Sequence, residues 1–156
     1  MKRWQAALKL LPLLICLVLV LVMTSCGIVA TPKEKASALL LSQIELRQQQ
    51  IAEPTAERLE QMKAMGMRVD DLEIQRIFIH LTKELNSSQV EELEAIGITL
   101  YLDSWIPPVG AHPTGFILAD MPIDRLEELA EKDYVVRLDT AERVLEPQNG
   151  SQPQLE

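Results

Sequence analysis

Apolar and polar positions divide this chain into three regimes. From Leu10 to Met23 the residues are almost wholly apolar, uncharged, and interrupted only by Pro12. From Ala36 to Gln50, Leu39, Leu40, Leu41, Ile44 and Leu46 are set among polar helix formers, which predicts a helix. Glu53-Pro54-Thr55 interrupts it, and a second helix is predicted over Ala56 to Met65, stopped by Gly66 at the position where helices favour glycine. From Ile74 onward the period changes to two, the spacing of a half-buried strand.

Ile74 to Leu81 alternates and is rich in Ile and Phe, so it reads as a strand. Ser88 with Glu91 three residues on predicts a capping box and a helix whose stripe is Val90, Leu93 and Ile96, ended by Gly97. Ile98 to Asp103 reads as a second strand. Ser104 to Thr114, with Pro107, Pro108, Gly110 and Pro113, reads as a loop. Gly115 to Met121 is a third strand. A second helix with Asp124 as N-cap and Glu127 three residues on carries Ile123, Leu126, Leu129 and Ala130 inward, and Tyr134 to Asp139 is a fourth strand. The order strand-helix-strand-strand-helix-strand predicts an α+β domain: a ferredoxin-like βαββαβ antiparallel sheet with two helices on one face, preceded by N-terminal helices. An internal similarity accompanies it. Leu59-Glu-Gln-Met-Lys-Ala-Met-Gly-Met67 parallels Val90-Glu-Glu-Leu-Glu-Ala-Ile-Gly-Ile98 position by position.

Alternation also sorts the strand residues by face. Ile77, Ile79, Leu81, Ile98, Leu100, Leu102, Ile117, Ala119, Met121, Val136 and Leu138 are uniformly aliphatic and are expected under the helices. Phe78, His80, Thr99, Tyr101, Phe116, Leu118, Val135 and Arg137 fall on the other face. A one-sided sheet should be polar there. Two Phe, a Tyr and a Leu instead mark either a partner surface or a face that the upstream helices cover.

The two ends add an address. Lys2, Arg3 and Lys9 precede the apolar run, whose fourteen residues to Met23 suit a signal h-region better than a span. Met23-Thr-Ser-Cys26 resembles the end of a bacterial lipoprotein signal, which implies acylation of Cys26 and a mature chain starting there. Leu10 to Ala30, uncharged throughout, also fits a signal anchor. Both readings put the bulk of the chain outside the cytoplasm of a bacterial cell envelope, tethered to a membrane. Of the two cysteines, Cys16 lies in the h-region, so cleavage leaves Cys26 without a partner. The expected domains are therefore 1–25 as signal peptide (or anchor to 30), 26–72 as tether and helical segment, 73–145 as the compact domain, and 146–156 as a disordered tail.

Charge and chemistry narrow the function. Three of the 15 Lys+Arg precede Cys26, so the rest carries 12 against 23 Asp+Glu, a net charge of −11. That argues against nucleic acid and against a polybasic membrane contact. His80 and His112 have no Cys or carboxylate spacing that makes a metal site. Ser87, Ser88 and Ser104 lack a strand-turn-helix elbow, and there is no glycine-rich phosphate loop. No enzyme, no cofactor and no metal are expected. Trp105-Ile-Pro-Pro108 reads as a recognition tip or as an aromatic cap on the domain edge.

Ile77-Phe-Ile-His-Leu81, Leu93-Glu-Ala-Ile-Gly-Ile-Thr-Leu100, Gly115-Phe-Ile-Leu-Ala-Asp-Met-Pro-Ile-Asp-Arg-Leu-Glu-Glu-Leu-Ala130 and Tyr134-Val-Val-Arg-Leu-Asp139 resemble the propeptide of subtilisin-like serine proteases and its free-standing inhibitor relatives. The resemblance implies a protein partner docked on the open sheet face, and a segment after the last strand lying in the protease cleft. Phe78, Tyr101, Phe116 and Leu118 would then be docking residues. Ala141 to Leu145 would be the cleft strand, with Val144 and Leu145 filling pockets. With no protease domain read in the chain, action in trans as inhibitor or folding aid is expected. The other expectation is a structural or assembly lipoprotein whose sheet face is self-covered or pairs with a second copy.

Overall fold

The computed structural model describes residues 32–143. Elements follow in the order α1 (Pro32–Lys35), α2 (Ala38–Ala52), α3 (Ala56–Ala64), β1 (Ile74–Leu81), α4 (Ser87–Ala95), β2 (Thr99–Ile106), β3 (Gly115–Pro122), a 3-10 turn (Ile123–Arg125), α5 (Leu126–Ala130) and β4 (Val135–Thr140). The fold is α+β, with one four-stranded antiparallel sheet in the order β2-β3-β1-β4. The expected signal segment, Cys26, Val144, Leu145 and the tail lie outside the described residues.

Strand alternation places one face of the sheet in the core. Ile77, Ile79 and Leu81 of β1, Ile117, Ala119 and Met121 of β3, and Leu138 of β4 are all buried. They form one cluster with Leu93 of α4 and with Leu126 and Leu129 of α5. Leu40 and Ile44 of α2 belong to the same cluster. The segment expected as a tether is thus part of the core, and the compact body does not begin near residue 73. The reason is area: a sheet with two short helices leaves apolar surface open beside β4, and α2 closes it. Burying a side chain such as Leu40 contributes about 1.5–3 kcal/mol. Just before α2 the chain is pinned to the sheet edge. Ala36 bridges Leu138 in parallel, the Ser37 N–H donates to the Leu138 carbonyl at 2.9 Å, and the Ser37 hydroxyl donates to Asp139 at 2.8 Å.

Several expected boundaries move. The capping box of α4 is built by Asn86 and Gln89, two residues earlier than Ser88 and Glu91: each side chain accepts from the other's backbone N–H. Asp124 caps nothing through its side chain. It sits inside the 3-10 turn, and α5 starts two residues later. β2 runs on to Ile106 because it bulges. Tyr101 pairs with Leu118 and Ile106 with Phe116, so five steps on β2 match two on β3. The Ser104 hydroxyl fills the gap, donating to the Tyr101 carbonyl at 2.6 Å and accepting from the Leu118 N–H at 2.8 Å. Leu102, expected in the core, is thrown out to 51% exposure. A second bulge lies opposite Leu81, where β4 loses register. It inverts the expected faces: Val135 is buried and Val136 exposed.

The sequence repeat is a structural repeat up to its cap. In α3 the Met67 N–H donates to the Met62 carbonyl and the Gly66 N–H to Lys63; in α4 the Ile98 N–H donates to Leu93 and the Gly97 N–H to Glu94. Both are Schellman endings with positive φ at the glycine, 75° at Gly66 and 88° at Gly97. Met62 and Leu93 are the fully buried residues of the two helices. Beyond the cap the copies part. Thr99 continues into β2, whereas Met67 leads into the loop that carries Arg68.

Candidate protein-docking face

The sheet face turned away from the core cluster carries Phe78 and His80 from β1 and Phe116 and Leu118 from β3. Antiparallel register sets Phe78 opposite Leu118 and His80 opposite Phe116. The rings of Phe78 and Phe116 meet edge to face with centroids 5.1 Å apart, and His80 lies 5.7 Å from Phe116. All four side chains are half-buried. Tyr101, opposite Leu118 across β2, is 37% exposed. Four of the six expected docking residues therefore lie on one contiguous surface. Partial burial, with Arg137 adding its positive charge, holds the His80 imidazole below its usual pKa, and Asp139 opposes the shift.

One end of this face is an ion-pair cluster that alternation alone did not pick out. Arg76 grips Asp120 through two hydrogen bonds of 2.8 and 2.9 Å. The Tyr101 hydroxyl donates to Asp120 at 2.8 Å and accepts from Arg76 at 3.0 Å. The Arg76 guanidinium also lies over the Tyr101 ring, 5.2 Å from its centroid. Arg68 adds a further bond to Asp120 at 3.1 Å. The Arg76 hydrogen bonds, then those of Tyr101 and the Arg68 charge, hold the Asp120 carboxyl below its usual range, and the same pair raises Arg76. Tyr101 is thus held with a cation over its ring and its hydroxyl fixed between Arg76 and Asp120.

Arg68 ties this cluster to a buried one. Its Nε donates to Glu142 at 3.2 Å, and its backbone N–H does so at 3.0 Å. The Glu142 carboxylate accepts two more bonds, from Arg47 of α2 at 2.6 Å and from the Arg76 backbone N–H at 3.1 Å. Arg47 in turn donates to Gln75 at 2.9 Å and to the Asp71 carbonyl at 2.8 Å. Gln43, Gln75 and Thr140 complete the set, with the Thr140 hydroxyl donating to Gln43. Arg47, Gln43, Gln75 and Thr140 are fully buried. Among the described residues no buried side-chain nitrogen or oxygen lacks a partner.

The effect on the end of β4 is mechanical. The Ala141 N–H donates to Arg76, the Glu142 N–H to Thr140, and the Glu142 carbonyl accepts from Gln43 at 2.7 Å. The chain therefore leaves the body at Arg143 from a fixed point. The sequence did carry a signal for this. Gln43, Arg47 and Gln50 share the helical stripe of Leu40 and Ile44, and Gln75 is in phase with Ile77 and Ile79. Polar residues at core-facing positions of both elements announce a buried polar network.

Elsewhere, Glu92 of α4 accepts from Lys132 and from the Tyr134 hydroxyl, which lowers the Glu92 pKa; burial first, and then the bond to Glu92, raise that of Tyr134. His112 sits exposed in the proline-rich loop. Among the described residues no group of three or more His, Cys, Asp or Glu is arranged to hold a metal, and no helix is long and apolar enough to cross a membrane. Comparison of the chain with family models, curated proteins and solved structures finds no match.

Proposed function

We propose that this protein is a membrane-anchored, extracytoplasmic protein-binding module that acts in trans on a subtilisin-like serine protease as an inhibitor or folding aid. The observation that carries the proposal is the aromatic-aliphatic sheet face of Phe78, Phe116, Leu118 and Tyr101, with α2 packed on the opposite side. Strand order β2-β3-β1-β4, with α2, α4 and α5 packed on one face, supports the finer description of the domain as ferredoxin-like. Ala141 and Glu142, expected as the start of the cleft strand, are instead bound into the protein's own network. Ala141 donates to the Arg76 carbonyl and Glu142 pairs with Arg47 and Arg68, so only the residues after Glu142 remain for the cleft. A strand leaving from a held point loses less entropy on entering a cleft. The anchor at Cys26, as lipid or within an uncleaved span, belongs to the same proposal.

The test is inhibition of a subtilisin-type protease by residues 27–156. Inhibition at micromolar concentration is expected, weakened at least about tenfold by the pair Phe78→Ser and Phe116→Ser, the loss of two aromatic anchors. Covering the face would desolvate His80 further, so the complex should be tighter above about pH 7 than below about pH 5.5, where the imidazole must shed a proton to be buried. No inhibition at micromolar concentration sinks the protease reading. A solution mass of two copies that reverts to one with Phe78→Ser would instead support a homodimer through this face.

A further inference from the structure

The free edge of the sheet lies at β2, paired on one side only, by β3, whereas the opposite edge at β4 is bridged by Ala36. Exposed large apolar side chains concentrate there. Tyr101, Leu102, Ile106 and Val109 are 37%, 51%, 46% and 63% exposed, all within nine residues of chain. Leu102 and Trp105, displaced by the bulge, also wall a cavity of about 300 Å³ on the helix side of the sheet. Leu85, Val90 and Ile117 complete its apolar wall, and Glu84 and Glu91 stand at it as exposed carboxylates. Among the described residues Glu84, Glu91 and the strand's own Asp103 have no ion pair or hydrogen bond through their carboxylates.

We infer that the β2 edge binds an extended segment of a partner protein by strand addition, and that the cavity takes one Arg or Lys side chain of that segment. The inference does not rest on the proposed protease reading: its cavity lies on the helix side of the sheet, and Tyr101 is the one residue the β2 edge shares with the Phe78 face. Strand addition supplies main-chain hydrogen bonds that carry no sequence preference. Preference comes from the cavity. A long basic side chain lays its aliphatic stem along Leu85, Val90 and Leu102 and keeps its charged head at the rim. There Glu84 and Glu91 supply opposite charge, beside the Trp105 side chain that walls the cavity. A purely apolar residue would leave the two carboxylates unmatched, and an acidic one would meet repulsion. Alternate residues of the segment fall on Tyr101 and Ile106, which favours β-branched flanking residues.

The experiment uses the full chain in mild detergent with Trp4→Phe, so that Trp105 is the sole indole. It is titrated with the peptide acetyl-Thr-Val-Arg-Val-Thr-amide and with versions carrying norleucine or Glu at the central position. The expected result is saturable change in Trp105 emission, together with amide shifts at Leu100 to Ile106 and at the cavity wall from Glu84 to Glu91. The Arg peptide should bind several-fold tighter than the norleucine peptide, on the scale of two partly exposed charge pairs, and the Glu peptide should not bind. Glu84→Gln with Glu91→Gln, both surface positions, should erase the Arg preference while the norleucine affinity stays. Val90→Phe, which fills the cavity, should weaken both. Equal binding of the Arg and Glu peptides overturns the inference, as does an Arg preference that survives the double Gln variant. So does absence of any Trp105 response to the Arg peptide up to millimolar concentration.

Discussion

At the scale of single residues, Gly115 shows how the β2 bulge is accommodated. A side chain there would set its first carbon 2.2 Å from the Ile106 carbonyl oxygen and 2.6 Å from the Trp105 ring. The carbonyl is backbone and cannot swing aside, so the bulged strand passes over β3 only where β3 has no Cβ. Gly115→Ala should cost about 1–3 kcal/mol, the range for forced overpacking. Urea unfolding followed by far-UV circular dichroism measures it; an unchanged midpoint would mean that the bulge relaxes freely. Leu102 makes a related point. Its apolar character suits a core position, and only the three extra residues between Tyr101 and Ile106 turn it outward.

Among elements, the contact that matters most is α2 against the β1 and β4 ends of the sheet. Leu40 and Ile44 supply apolar burial, while Arg47 and Gln43 supply hydrogen bonds to Glu142, Gln75 and Thr140. Arg47→Met removes a fully buried guanidinium and leaves Glu142 with Arg68 and two backbone donors. The loss expected for breaking a buried pair is about 3–5 kcal/mol, at its low end here because those donors remain. Combining Arg47→Met with Glu142→Met should recover part of that loss, since the orphaned charge goes too. Chemical denaturation of the two single variants and the double closes the cycle. Additive losses would show that the pair is not coupled.

For the whole molecule, the boundary of the folding unit follows from the same packing. A strand-helix-strand-strand-helix-strand body of about 70 residues is marginal by itself, because small domains bury too little of their surface. Here α2 contributes core residues, and Ala36 with Ser37 closes one sheet edge. A chain beginning at Glu73 should therefore lack cooperative thermal unfolding and bind a hydrophobic dye. A chain beginning at Thr31 should melt in one transition. A sharp melt from the shorter chain would show α2 to be an accessory.

Sequence alone determined what depends on neighbours along the chain. Alternation placed β1 at Ile74–Leu81, and the repeat at Gly66 and Gly97 located two helix ends. The same alternation separated Phe78, Phe116, Leu118 and Tyr101 from the core residues, because side-chain direction in a strand is local. Tertiary structure decided what depends on meeting. The bulges that expose Leu102 and Val136 arise between strands, and no single strand's pattern encodes them. The pairing of Arg47 with Glu142 joins residues 95 apart in the chain. Its polar members were visible on apolar stripes, but their partners were not, since a buried charge names no partner until the chain closes around it. Whether α2 was tether or core turned on surface left uncovered beside β4, a property of the assembled sheet alone.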